Sequence, residues 1–285
     1  MERQQKSIVE NYSEKRDIHN IIFKENSLIN EFKHIDVKER NTIKIKIERN
    51  SEVNIFLSLS KKEYEENFLF LDIEVFENSK LNYIFLVNEN AVNQNTHHQF
   101  SLHKNAKLNM INGFFSKELK SIVSVDLNGE GSEVLLNSVV ISSDKSNQSI
   151  DSKITHYAPN SYGDMYNIAI AKDQGKVTLN GIEKIKKGNF QANSFQTLKG
   201  IILSDEATVE VNPILLIDEY DVKAGHGATI GKIEEEQMYY LQSRGLTKLE
   251  AEKMIINSYI NPIVDKINDE DIHKDFERAI NKKIW

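Results

Sequence analysis

From Thr42 onward the chain alternates. In TIKIKIE apolar and polar residues take turns, the two-residue period of a strand with one face in a core and the other in water. Runs of this texture continue as VNIFLSLS, NFLFLDIEVF, LNYIFLV, QFSLH, LNMINGFF, SIVSVDL, VLLNSVVIS, MYNIAIA, VTLNGIEKI, TLKGIIL, VEV and ILLI. Short clusters of Asn, Ser, Gly, Asp and Lys separate them, as turns require. Ahead of them, residues 1–40 form a polar segment of mixed charge, in which SIVENY and IIFKENSLINEF fit either short helices or early strands.

The turn clusters repeat. RNSEVNIFL, ENSKLNYIF, KNAKLNMIN and GEGSEVLLN each place a small or turn-forming residue, then a polar one, then an apolar residue that opens a strand. The opening residues are Val53, Leu81, Leu108 and Val134, in steps of 28, 27 and 26. Further copies open at Val177, Phe190 and Val209 with less even spacing. A unit of two or three short strands repeated at such a period reads as a stacked solenoid, because one rung cannot bury its inner face alone. With almost no helix signal inside the repeats, the pattern predicts a β-helix over residues 41–231; an irregular antiparallel sandwich or barrel is the alternative.

After Gly231 the period changes. IEEEQMYYLQSRG has acids in its first turn, an Arg near its end and Gly245 beyond, the order that a helix dipole favours. Thr247 and Glu250 make a T-x-x-E capping box ahead of Ala251, Met254, Ile255 and Tyr259 at helical spacing. Asn261 and Pro262 fit the cap and first position of a further helix that continues through Ile272, Phe276 and Ile280. Residues 232–285 are therefore predicted to form a small helical domain, its apolar stripes packed on the end of the solenoid or on each other.

Composition narrows the chemistry. A net charge of -7 gives no global basic signal for nucleic acid, and KKGNF and EKIKK are too short to supply one. There is no cysteine, which removes disulfides, thiolate metal ligands and thiol nucleophiles from this chain. MERQQKSIVENYSEKRDIHN is too polar for a signal peptide and no run of about 18 apolar residues occurs, so the expectation is a cytoplasmic protein without a membrane partner.

One stretch invites a site. DVKAGHGATIG places His226 between Gly225 and Gly227, with Gly231 close behind. It is not a phosphate loop: the glycines do not fit G-x-x-x-x-G-K-[ST], and Ile230 occupies the third glycine of G-x-G-x-x-G. Glycine neighbours leave an imidazole sterically open, and neutral imidazole is a common metal ligand, although a lone His is more often structural. On a strand, His97 and His103 share a face and His98 points the other way, with a rung-stacking role ahead of metal binding. His156, before a Pro turn, reads as a turn hydrogen bond. Asp218, Glu219 and Asp221 lie among scattered acids of a solvated face.

The segment PILLIDEYDVKAGHGATIGKIEEEQMYYLQSRGLTKLEAEKMIINSYI resembles the core of the SufB/SufD family of iron–sulfur cluster assembly proteins. Pro213, Asp221-Val222, His226 to Thr229, Gly231, Tyr240-Leu241 and Ser243 to Gly245 carry the likeness, and ITHYAPNSYG and NGIEKIKKGNFQANSFQTLKGIILSDEA extend it upstream. The resemblance implies a right-handed parallel β-helix with a C-terminal helical domain, acting as a scaffold and not as an enzyme. It implies pairing with a SufB-like paralogue, a homodimer in isolation being the other arrangement, and binding of the ATPase SufC through the helices. Tyr240, Leu241, Arg244, Met254, Ile255 and Tyr259 are the expected SufC contacts. Asp221, Lys223, Ala224 and Gly225 are the expected subunit interface. His226 matches the histidine of the family's H-G-A-T motif and is the expected ligand of a transient iron or iron–sulfur cluster shared with SufB, with no permanent cofactor. Without cysteine the chain cannot accept sulfur as SufB does, so it is most like SufD. Ala224 stands where some SufD proteins have Cys, and the resemblance leads to the expectation of an N-terminal helical domain much reduced against that of longer relatives. The rival readings are a β-helix carbohydrate-active enzyme and a self-sufficient homodimeric scaffold.

Overall fold

The computed structural model describes residues 8–13, 18–36, 41–59, 67–89, 91 and 93–285; residues 1–7, 14–17 and 37–40 of the polar N-terminal segment lie outside the described residues. In chain order the strands are β1 (Ile8–Ser13), β2 (Ile18–Phe23), β3 (Leu28–Asp36), β4 (Asn41–Ile47), β5 (Glu52–Leu59) and β6 (Asn67–Val75). They continue as β7 (Lys80–Val87), β8 (Gln94–Leu102), β9 (Lys107–Phe114), β10 (Glu118–Leu127), β11 (Glu133–Ser142) and β12 (Asn147–His156). The last are β13 (Tyr162–Ala171), β14 (Lys176–Ile185), β15 (Asn193–Ile202), β16 (Thr208–Ile217) and β17 (Lys223–Lys232). Three helices follow: α1 (Glu235–Ser243), α2 (Lys248–Val264) and α3 (Glu270–Ile284).

The strands sort by parity. The even-numbered strands, with β1, form a nine-stranded sheet ending at β16, and the odd strands from β3 to β17 form an eight-stranded sheet. Except for β1 against β2, neighbours pair in parallel. Each rung is therefore one strand from each sheet, and the chain winds as a parallel β-solenoid. β2 and β3, drawn from within residues 1–40, are already part of it.

The sequence repeat and the register coincide. Val53 pairs with Leu81, Leu81 with Leu108, and Leu108 with Val134. The less even copies have a different cause. Val177 pairs with Val209 in the other sheet, and Phe190 sits in a turn, so the sequence had mixed two staggered series of corners. The corner itself has a backbone reason: Asn26, Asn50, Asn78, Asn105, Gly131, Asn160 and Gln191 take up φ between 55° and 69°. Asn tolerates this left-handed region better than most residues with a side chain. Each corner N–H donates to a carbonyl of the next rung, as Asn50 does to Glu77 and Asn78 to Lys104, both at 3.0 Å. Asn78 and Asn105 add side-chain bonds to Asn50 and Asn78, which makes a ladder up the edge.

The two sheets differ in burial. β10 and β14 alternate buried and less buried positions to their ends, while β9, β11 and β13 change to continuous burial. The cause is the helical tail. Of the two expected packings, on the solenoid end or of the helices on each other, neither describes it fully: it lies on the outer face of the eight-stranded sheet. There Ile256, Ile260, Ile263, Phe276 and Ile280 pack on Ile84, Ile111, Val139, Ile141 and Ile168. Gly113 allows the approach, since a Cβ there would stand 2.7 Å from the Phe276 ring.

The capping box of α2 is present, with Glu250 N–H donating to Thr247 Oγ1 and Thr247 N–H to Glu250. The predicted break at Asn261–Pro262 is not. α2 runs through Pro262 to Val264, and α3 starts after Asp269, whose carboxylate accepts from Asp271 and Ile272 N–H. Proline removes one helical donor, but Pro262 and the Ser258 carbonyl it would have served lie on the exposed side, and Asp265 N–H still reaches Asn261.

Candidate functional site

Beyond Asp221 and Val222, DVKAGHGATIG is neither a loop nor a corner. Its residues from Lys223 form β17, paired in parallel with β15 from Asn193–Lys223 to Ile202–Lys232. Gly225, Gly227 and Gly231 are absent from the left-handed glycines, so none serves a turn. Their effect is on the surface: among the described residues nothing lies within 4 Å of a Cβ added at Gly227 or Gly231, and one at Gly225 would meet only the Phe195 ring.

The register decides where His226 points. On β15, Ser194, Gln196 and Leu198 are buried in the solenoid interior, and they pair with Ala224, His226 and Ala228. His226 thus belongs to the inward series, directly beyond Gln196. Gln196 is held in place by donating to the Ile214 carbonyl across the rung at 3.0 Å. Among the described residues no strand pairs with the far edge of β16 or β17. The inward face of the last rung therefore lies open: His226, Ala224 and Ala228 are exposed, and Ile230 is 48% exposed. Two unpaired strand edges and exposed apolar side chains on one end are the pattern of a surface that adds another chain.

The residues expected at the interface stay together on this end. Lys223, Ala224 and Gly225 are on β17, and Asp221 precedes it, accepting from Gln191 N–H and, through its carboxylate, from the Gln191 side chain at 2.6 Å each. The residues expected to contact an ATPase form a second place. Tyr240, Leu241, Met254, Ile255 and Tyr259 line a groove of about 720 Å³ between α1 and α2, with Lys199 and Tyr166 of the sheet as its base. Lys199 Nζ sits 5.5 Å from both the Tyr166 and Tyr259 rings. Arg244 is outside the groove and lies over the Tyr240 ring at 5.3 Å, and Ile255 is itself 8% exposed. The two places adjoin: Lys199 pairs with Thr229 of β17, and Ile233 and Glu234 alone separate β17 from α1.

Among the described residues no group of three or more His, Cys, Asp or Glu side chains could hold a metal ion. A single imidazole does not complete a metal site, so a metal bound at His226 would need donors from outside these residues. The other histidines take the roles their alternation suggested. His97 meets the Phe70 ring edge-on at 5.1 Å and His103 stacks on Phe76 at 4.7 Å. His98 faces the interior, fully buried between Tyr83 and Phe85, where burial pushes it down to about 3. His156 makes the expected turn hydrogen bond, to Ser161, but also meets Ser194 and lies 4.0 Å from Glu183. Glu183 was missed. The signal was present: in VTLNGIEKI the inward positions are Val177, Leu179, Gly181, Glu183 and Ile185, so alternation alone puts a carboxyl in the core.

Comparison with known proteins points to a family. A family model described as SUF system FeS cluster assembly, SufBD core domain, matches residues 32–259. The iron–sulfur cluster assembly protein SufD of Bacillus subtilis is 35% identical over 161 residues, 56% of this chain and 37% of the relative. SufD of Escherichia coli is 26% identical over 216 residues, 74% and 51% of the two chains. SufB of Bacillus subtilis is 28% identical over 165 residues, 58% and 36%. The matched part thus spans between about a third and a half of these relatives' lengths. Among the described residues no helix is long and apolar enough to cross a membrane. A parallel solenoid with an open final rung, the H-G-A-T strand on that rung and a match over most of the chain lead to one assignment: the chain belongs to the SufB/SufD family of iron–sulfur cluster assembly proteins and is SufD-like.

Proposed function

We propose that this chain is a non-catalytic scaffold subunit that pairs with a SufB-like paralogue and binds a SufC-type ATPase, with His226 offered to the nascent cluster. The observation that carries the reading is the open last rung. It presents an inward-series imidazole beside two unpaired strand edges, in a chain with no thiolate of its own. A cluster held there is cargo, and its sulfur-based ligands come from the partner.

The groove between α1 and α2 is the proposed ATPase site, with Tyr240, Met254 and Tyr259 as apolar contacts and Glu234 and Glu236 on its rim. Because two residues join β17 to α1, movement of the helices by the ATPase reaches the His226 strand directly. Co-expression with a SufB-like and a SufC-like chain tests the proposal. A ternary complex that survives size exclusion is expected. Tyr240→Asp is expected to release the ATPase and keep the paralogue, whereas Ile230→Asp is expected to release the paralogue and keep the ATPase. Failure of the wild-type chains to co-purify would remove the proposal.

A further inference from the structure

A chain of polar side chains lies inside the last complete rungs, where solvent does not reach. Glu183 on β14, Ser194 on β15, His156 at the end of β12 and Ser161 in the following corner are each 0% exposed. Ser194 Oγ is 2.5 Å from Glu183 Oε2 and 3.1 Å from His156 Nε2. His156 Nδ1 is 2.8 Å from Ser161 Oγ, which donates to the Ala158 carbonyl at 2.7 Å.

The hydrogens of this chain can be counted. Ser161 has one proton and gives it to Ala158, so it accepts from His156 Nδ1–H. If His156 is neutral, Nε2 is an acceptor and takes the Ser194 proton. Ser194 then has nothing to donate, and its contact with Glu183 requires a protonated carboxyl as the donor. If His156 is a cation, Ser194 donates to a carboxylate. The two assignments differ by one proton moved through Ser194, and both are neutral overall. Either way the chain holds one proton more than a neutral histidine beside an ionised glutamate. Burial selects the uncharged assignment, pushing Glu183 up to about 8 and His156 down to about 4.

The surroundings give a carboxylate little help. Among the described residues Glu183 Oε1 has no hydrogen-bond partner. Along the sheet its register neighbours are Ile154 and Leu215. β15 faces it with Ser194, β12 contributes His156, and Asp164 on β13 opposes its ionisation through space. Ionised Glu183 would have one donor, Ser194, and Ser194 turning to it would leave His156 Nε2 buried without one. Unsatisfied buried polar groups are costly, and a buried charge more so.

We propose that Glu183, Ser194 and His156 form a pH-sensitive tie beneath the His226 strand. It holds β12, β14 and β15 together while Glu183 keeps its proton, and it loosens the open end of the solenoid when alkali removes that proton. Ser194 pairs with Ala224, two residues from His226, so a loosened β15 loosens β17. The tie belongs to the isolated chain and does not depend on the scaffold reading.

Infrared spectroscopy and amide exchange on the full chain test it. The wild type at pH 7 is expected to show the carbonyl stretch of a buried protonated carboxylic acid, lost in Glu183→Gln. From pH 7 to 9, exchange in β15 and β17 is expected to rise several-fold relative to β9. Base catalysis of exchange cancels in that ratio. In Glu183→Gln, where an amide donates to Ser194 at every pH, the ratio is expected to stay flat. If the variant does not fold, the wild-type band and ratio decide alone. No protonated-acid band at pH 7, or a wild-type ratio unchanged to pH 9, overturns the proposal.

Discussion

The middle rungs and the last rung are built from one repeat but are covered differently. Phe85 on β7 faces the interior with β5 and β9 on either side, and it is 0% exposed, edge-on to the His98 and Phe114 rings. Ile230 on β17 occupies the same inward series with β15 on one side only, and is 48% exposed. In a solenoid, burial belongs to the stack more than to the residue. A side chain that would be core one rung earlier becomes surface where stacking stops, and a surface of core-type side chains and free strand edges suits another chain.

Mutations of matched type separate the two regions. Phe85→Ala should destabilise by about 3–5 kcal/mol in urea denaturation, since the middle rung cannot collapse around the lost ring. A loss under 1 kcal/mol would show that the middle rungs are as loose as the end. The next effect is in pH. Between about 4.5 and 8 the unfolded Glu183 is ionised while the folded one keeps its proton, so stability falls as pH rises through that window. Between about 4 and 6.5 the unfolded His156 takes up a proton that the folded one refuses, so stability falls as pH drops. The two slopes cancel from about 4.5 to 6.5. From pH 6.5 to 8 the Glu183 slope stands alone, and about 2 kcal/mol should be lost, measured by denaturation across the series. Glu183→Gln should flatten that limb, and an unchanged limb would contradict the assignment.

Corner substitutions come third. Asn78→Ala, at φ 57°, should cost about 1–2 kcal/mol, and Asn78→Gly clearly less, because only the alanine carries a Cβ into the left-handed region. Equal costs would mean that the Asn ladder, and not the backbone, holds the corner. Smallest is Ile230→Ala, expected to stay within about 0.5 kcal/mol in the isolated chain while weakening association with a SufB-like partner. A loss as large as that of Phe85→Ala would place the last rung in a core of its own.

The same contrast explains what could be read from the sequence. Corner residues are fixed by backbone geometry and inward residues by alternation, so Val53, Leu81, Leu108 and Val134 gave the register directly. The capping box was legible because it is local. β12 was not, since its inward series, Gln148, Ile150, Ser152, Ile154 and His156, is polar at three of its five positions. Pro213 split β16 into VEV and ILLI, yet β16 is one strand at the sheet edge, where a missing N–H is tolerated. The glycines around His226 left the stretch without a strand signal of its own, because glycine weakens strand propensity. The strand forms anyway, on the ladder that β15 offers it. Where the helices dock was beyond sequence reading, since continuous burial in β9, β11 and β13 looks the same whatever covers it. His226 stood out in the sequence by its neighbours and the family motif, while its place beyond Gln196 on an uncapped rung came only from the register.

His226 is proposed to serve a cluster whose other ligands belong to a partner. Anaerobic reconstitution of the purified complex with a SufB-like chain, wild type against His226→Ala, measures it through bound iron and sulfide per complex. With complex formation intact, loss of one ligand should weaken cluster retention roughly tenfold or more. Equal cluster content and equal retention in the His226→Ala complex would contradict the claim.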